Sequence, residues 1–312
     1  MNLTDPIFQD DAKARKWLEA QVWPEGPVCP HCGNADDAKI KALAGKAHRD
    51  GLFKCNECRE QFTVTVGTVM ERSKIPLRKW AMAMFLMSAS KKGISAHQMH
   101  RMMDIPYKTA WFLAHRIREA MRDGKPSPLG GIGRDVEADE TYFGDKEVIT
   151  KRTKRGKAAH SSKRSVVTLV ERGGSARSFH VERADQATVE AIIADNVHRR
   201  TRLHSDETHL YDGSNVAEHS KVKYTHGEYV RYEGDRTIHS NTVENYFSVF
   251  KRGMRGTYQH CAEKHLHRYL VEFDFRYSRR AALGIDDSQR ASDLAKGSMG
   301  KRLMYKSAVT RG

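Results

Sequence analysis

The sequence has no run of about 18 consecutive apolar residues, the length that a membrane-spanning helix requires. Its first residues, Met1-Asn-Leu-Thr-Asp-Pro6, lack the basic start and apolar core of a secretory leader. Acidic residues are in short supply: 39 Asp and Glu face 54 Lys and Arg, which leaves a formal charge of +15. That excess points to a polyanionic partner, because releasing counterions from phosphates is the main sequence-independent source of nucleic-acid affinity. Cysteine is scarce too, with five in the chain, and four of them form the Cys-x-x-Cys pairs Cys29/Cys32 and Cys55/Cys58. In a reducing compartment such pairs read as metal ligands, not disulfides. Cys261 is left over as an ordinary small residue. A cytoplasmic, nucleoid-associated protein with DNA as partner and no membrane contact is expected. At 312 residues and 39% hydrophobic content the chain has room for two or three modules with real cores.

Residues 1–72 read as an N-terminal helix followed by a zinc ribbon. The helix spans about residues 9–23 and is broken by Pro24 and Pro27. The knuckles Cys29-Pro-His-Cys32 and Cys55-Asn-Glu-Cys58 offer four thiolates for a closed tetrahedral Zn²⁺ site, which supplies folding energy to a module with little core. The 22 residues between them imply an extended hairpin loop. His180-Val-Glu182 superficially resembles the His-x-Glu of zinc deaminases, but no Pro-Cys-x-x-Cys follows it, so the zinc is structural.

Residues 73–123 turn helical. Leu77, Trp80, Met84 and Met87 mark one core face, and Ser95-Ala-His-Gln98 is a capping box that opens a second helix. Asp104-Ile-Pro106 makes a turn. A third helix then turns Ala110, Leu113, Ile117 and Met121 inward and leaves Lys108, His115, Arg116, Arg118 and Arg122 for phosphate. This is a helix-turn-helix pattern, although a plain three-helix bundle fits nearly as well.

A Gly/Pro-rich linker over 124–134 precedes a domain at 135–280. Asp135 to Gly144 alternates as a strand in which Glu137, Asp139 and Thr141 share one face and Glu140 the other. After the basic run from Lys146 to Arg164, expected to be a mobile loop, come strands at 165–170 and 177–181. A helix capped by Asp185 and a strand ending in Asp206 follow. An irregular stretch around 222–231 leads to a helix with Thr242 as its N-cap, Val243, Phe247 and Phe250 as its apolar stripe and Gly253 and Gly256 ending it. Glu244, Ser248 and Lys251 share its other edge. The order strand, strand, strand, helix, strand, helix is that of a ribonuclease-H-like fold. The fold class expected is therefore a multidomain α/β chain: a small zinc ribbon, a helical helix-turn-helix region and a ribonuclease-H-like α/β catalytic domain. Residues 281–312, poor in apolar side chains, read as a mobile basic tail and an added DNA contact.

Taken together, the two cysteine knuckles, Val136-Glu-Ala-Asp-Glu-Thr-Tyr-Phe-Gly144, His204-Ser-Asp206 and His239-Ser-Asn-Thr-Val-Glu-Asn-Tyr-Phe-Ser-Val-Phe-Lys-Arg252 resemble the DDE transposases of bacterial insertion sequences, in particular the ISXO-like group with an N-terminal zinc ribbon. The resemblance covers about residues 20–280. It implies cleavage at the inverted repeats of an element and joining of the 3′ ends to target DNA, with two Mg²⁺ ions held by Asp139, Asp206 and Glu244. Lys251 matches the lysine seven positions after the third acid. Lys251 and Arg252 are expected to place the DNA backbone along with Lys108, Arg116 and Arg118, and Asn241 to contact DNA or share the third catalytic position. Work on paired ends implies a homodimer on double-stranded DNA. Two other readings use the same modules: a non-catalytic zinc-ribbon and helix-turn-helix regulator, and a structure-selective nuclease.

Overall fold

The computed structural model describes residues 1–145, 163–234 and 236–304. The basic run at 146–162 and the last residues, 305–312, lie outside that set. The chain divides into two compact units, 1–122 with 285–312, and 123–284. Among the described residues no helix is long and apolar enough to cross a membrane.

In the first unit, α1 (Asp11–Val22) starts where the Asp10 carboxylate accepts hydrogen bonds from the Ala12 and Lys13 amides. Strands β1 (Ile40–Leu43), β2 (Leu52–Cys55) and β3 (Gln61–Phe62) form an antiparallel sheet. The β1–β2 hairpin takes up the long spacing between the cysteine pairs. Trp23, Phe53 and Phe62 pack edge-on and stacked, with ring centroids 5.6–5.7 Å apart, and provide the small apolar centre of this module.

Helices α2 (Leu77–Ala89), α3 (Ala96–Met103) and α4 (Tyr107–Met121) follow. Ser95 caps α3 through the Gln98 amide at 3.1 Å, as the capping-box pattern predicts, and Asp104 ends it in a left-handed conformation. Trp80, Met84, Met87, Leu113 and Ile117 are buried. The tail departs from its expected freedom. Ala281–Leu283 forms a 3-10 turn and Asp287–Lys296 forms a further helix, α8, whose Ala291, Leu294 and Ala295 are buried. Within the first unit α8 packs on α1, α2 and α4. Three small or apolar residues at helical spacing suffice for this, although the segment is otherwise polar.

The second unit is built on a five-stranded mixed sheet of order β6-β5-β4-β7-β8. Its strands are β4 (Asp135–Asp145), β5 (Lys163–Glu171), β6 (Ala176–Val181), β7 (Arg202–Ser205) and β8 (Glu218–Lys221). β4, β5 and β6 pair antiparallel, whereas β7 and β8 run parallel to β4. Helix α5 (Gln186–Asn196), capped by Asp185 as expected, makes the crossover and covers one face with Val189 and Ile193. Helices α6 (Asn241–Gly253) and α7 (Leu266–Ser278) cover the other, where Val166 and Val170 meet Val243, Tyr246, Phe250 and Phe273. A two-stranded ribbon, β9 (Arg231–Glu233) with β10 (Arg236–Ile238), precedes α6.

Two expected boundaries move. The second half of the predicted linker belongs to this unit: Leu129 is buried, its amide donates to the Asn196 carbonyl at 2.7 Å, and its carbonyl accepts from the His198 amide at 2.9 Å. Gly130 holds φ +79 against Thr201, where a Cβ would lie 2.3 Å from the threonine hydroxyl oxygen. Gly253 is the last residue of α6, as expected, but helical backbone runs on past Gly256 in a π-helical turn at Met254–Tyr258.

Candidate active site and zinc centre

The four cysteines come together. Cys29 and Cys58 sulfurs lie 3.6 Å apart, Cys32 and Cys55 sulfurs 3.7 Å, and all four within 4.8 Å of one another. A tetrahedron with Zn–S bonds of about 2.3 Å has edges of roughly 3.8 Å, so the donor set fits zinc. Each knuckle closes on a residue with positive φ, Gly33 at 76° and Arg59 at 64°. The Cys29 amide donates to the Asn34 carbonyl and the Cys55 amide to the Glu60 carbonyl. The backbone amide of Cys58 leads the contributions that bring the Cys55 thiol down to about 6, favouring the thiolate that a metal requires.

In the second unit, register and side-chain alternation assemble an acidic site. β4 pairs β7 in parallel with Glu137 beside His204. Two residues on, along both strands, Asp139 therefore comes beside Asp206, which directly follows β7. Glu137, Asp139 and Thr141 share the face toward α6. Two of their β5 partners, Val170 and Val166, line the core beneath that helix.

Glu137 joins strand to helix. Fully buried, it accepts from the amides of Thr242 at 2.7 Å and Val243 at 3.0 Å and from the Thr242 hydroxyl at 2.7 Å. Arg172 contacts it at 2.6 Å and His239 at 3.1 Å. It thus does for α6 what an N-cap side chain ordinarily does, from a different element, and it counters the positive helix end with a charge. Thr242 sits inside the first turn of the helix, not at the cap position that the sequence pattern suggests.

Glu244, on the first turn of this helix, is thereby held close to Asp139. Burial raises the Asp139 carboxyl to about 8, and the charges of Glu140, Asp206 and Glu244 add to the shift. Glu140 points to the α5 face, where it accepts from the Tyr211 hydroxyl at 2.8 Å. Its own pKa is also raised, by burial first. Asp139, Asp206 and Glu244 offer oxygen donors with excess negative charge on one face, which suits a hard cation such as Mg²⁺. Among the described residues only the cysteines form a group of ligand atoms as tight as 4.8 Å, so the carboxylates are spaced more widely than a closed single-ion cage.

Lys251 lies about two turns further along α6, its ammonium 6.0 Å from the Phe247 ring centroid. Arg252 is exposed, and its Nε donates to the Ser248 carbonyl at 3.1 Å. Asn241 is exposed at the start of α6. In the first unit Lys108 is exposed, but Arg116 and Arg118, expected on the open face of α4, are 7% and 3% exposed, and His115 is fully buried. Arg116 donates to the Glu71 carbonyl at 2.6 Å and lies over the Trp80 and Phe112 rings. The apolar stripe of α4 gave no warning, because the segment at 71–75 covers a second side of the helix. Sequence reasoning also missed Glu137 as a cap and Tyr211 as the partner of Glu140. Neither has a local signal, since both depend on elements far apart in the chain.

Residues 128–278 match the ISXO2-like transposase domain, and residues 9–61 match the transposase zinc-ribbon domain. The chain thus carries an ISXO2-like transposase domain behind a transposase zinc ribbon. It is also similar to a Halobacterium salinarum protein described as an uncharacterized protein in transposable element ISH50. The two are 25% identical over 281 residues, which is 86% of this chain and 91% of the other. The matched regions contain the four cysteines and every carboxylate of the acidic site.

Proposed function

We propose that the protein binds the ends of an insertion sequence as double-stranded DNA, cleaves them and joins the 3′ ends to target DNA by Mg²⁺-dependent phosphoryl transfer. The observation that carries this reading is the meeting of Asp139, Asp206 and Glu244 on adjacent parallel strands and the helix above them, in a chain that carries a transposase domain. The sheet order, three antiparallel strands followed by two parallel ones across a helix, supports a ribonuclease-H-like fold. Asp139, Asp206 and Glu244 are the residues that would hold Mg²⁺, which when bound supplies a Lewis acid at the phosphate and an activated water. Lys251 and Arg252 position the DNA backbone and read no sequence. Asn241 stands beside Glu244 at the start of α6 as the competing third residue. The helix-turn-helix of α3 and α4, with Lys108 exposed, binds DNA, and the zinc ribbon supports that role. Paired ends call for a homodimer on DNA.

The test is a cleavage and strand-joining assay on the inverted repeats that flank the gene, with Mg²⁺ and with EDTA. Glu244→Gln should lose cleavage by orders of magnitude while DNA binding persists. Wild-type cleavage by Glu244→Gln with a dead Asn241→Ala would move the third role to Asn241. Activity in both would sink the mechanism. Cleavage without joining of precut ends would instead favour a structure-selective nuclease.

A further inference from the structure

The first unit contains an open cleft of about 350 Å³ between the segment at 72–75 and the N-terminal half of α4. Arg72, Lys74, Lys108 and Arg116 line it, with Ile75 and Phe112 as apolar wall. Arg116 forms its inner end. Only 7% exposed, this guanidinium is held by the Glu71 carbonyl and by two aromatic rings, yet its Nε is buried with no hydrogen-bond partner. A buried donor left unmatched costs about 1–3 kcal/mol, so it calls for an acceptor. Arg72, 82% exposed, holds φ 56, a backbone conformation that costs a non-glycine residue about 1–2 kcal/mol. The nearby carboxylate is Glu71, which takes the Gly67 amide at 3.2 Å and lies 3.8 Å from both Arg72 and Arg302. Four cations thus line the cleft, and its lining contains no carboxylate.

We infer that this cleft seats a phosphodiester of the DNA backbone, with Arg116 as the buried anchor, Lys74, Lys108 and Arg72 at the rim, and the deoxyribose against Ile75 and Phe112. The inference rests on the reading of DNA as substrate, but it needs no part of the acidic site. It differs from an open-faced recognition helix because the charge of Arg116 works from inside the fold, where it is preorganised and poorly screened. Such a contact positions the duplex and carries no base information.

The test is anisotropy of a fluorescent end-repeat duplex with the full chain in EDTA, which silences any metal-dependent step, over a series of chloride concentrations. Lys74→Ala/Lys108→Ala changes only exposed side chains. It should weaken binding several-fold and lower the slope of log K against log salt by up to about 0.9, the contribution of the one phosphate that the cleft neutralises. Arg116→Lys, which keeps the charge and removes the Nε donor, should weaken binding with an unchanged circular dichroism spectrum. An unaltered slope and affinity in the double variant would overturn the assignment. So would an unaltered slope accompanied by wild-type-only thermal stabilisation from inorganic phosphate, which would make the cleft a free-phosphate site. Should the unaltered chain bind no duplex at all, the DNA reading fails along with this one, whereas absence of a variant effect alone removes only the cleft.

Discussion

Asp139 shows how a single side chain can register an unfinished site. Its carboxyl ordinarily titrates near 3.9 but is raised to about 8 in the fold, so the folded state binds this proton more tightly than the unfolded chain. The stabilisation linked to it is full below the unfolded value and is lost as pH rises through about 8. Asp139→Asn, which has no charge to bury, should therefore raise the metal-free melting temperature at pH 8, by an amount that shrinks toward pH 5. A lower melting temperature for this variant at pH 8 would contradict the assigned crowding of charge. Because a carboxylate must lose its proton to bind a cation, Mg²⁺ should also stabilise the unaltered protein more at pH 8 than at pH 6. Equal stabilisation at both values would argue that the ion binds elsewhere.

The helix α6 owes its place to a strand residue. The Glu137 carboxylate takes two of its free amides, and at the far side the Tyr246 hydroxyl donates to Asp274 of α7 at 2.6 Å, where Ser178 of β6 also donates at 2.8 Å. These two attachments orient the edge that bears Glu244 and Lys251. Glu137→Ala should cost about 3 kcal/mol, since more than one buried amide loses its acceptor. It should also lower cleavage more than the loss of stability accounts for, by letting Glu244 drift. A denaturation midpoint unchanged by this substitution would show that α6 needs no such cap. The same logic applies to the cysteine knuckles, whose short loops have little apolar surface of their own. Purified protein should carry about one Zn²⁺ per chain, and Cys55→Ser should lose the metal and alter the fluorescence of Trp23, which packs on Phe53 and Phe62. Stoichiometric zinc in that variant would exclude the four-cysteine site.

Each of the two units has its own core, but the first is closed by a helix from the other end of the chain. α8 returns after the whole of the second unit to place Ala291 and Leu294 in the first. Gly297 follows it so near the Ala120 carbonyl that a Cβ would stand 2.6 Å away. Ending the chain after Gly284 should therefore lower the melting of the N-terminal unit and leave the strand and helix signal of 123–284 in place. Two transitions by calorimetry, with only one shifted, would be the supporting result; a single unshifted transition would refute it.

Contacts close in sequence were legible in advance. The Cys-x-x-Cys pairs, the caps at Ser95 and Asp185, the alternation that separates Asp139 from Glu140 and the stripe of Val243, Phe247 and Phe250 are each written within a few residues, where backbone geometry sets which side chains share a face. The succession β4, β5, β6, α5, β7 and α6 followed from the same patterns, whereas β8, the β9–β10 ribbon and α7 were not read from them. What lay out of reach depends on chain segments meeting across long separations. Periodicity identifies one buried stripe on a helix but not a second cover, so Arg116 and Arg118 read as surface cations when packing buries them. Composition marked 281–312 as a tail and 124–134 as a linker, because the energy that orders Leu129 and α8 comes from partners elsewhere in the chain. The carboxylates themselves were visible as residues. Their mutual crowding, and the buried Glu137 that brings one of them in, arose only when the parallel pairing of β4 and β7 and the docking of α6 placed charges from three distant segments near one another.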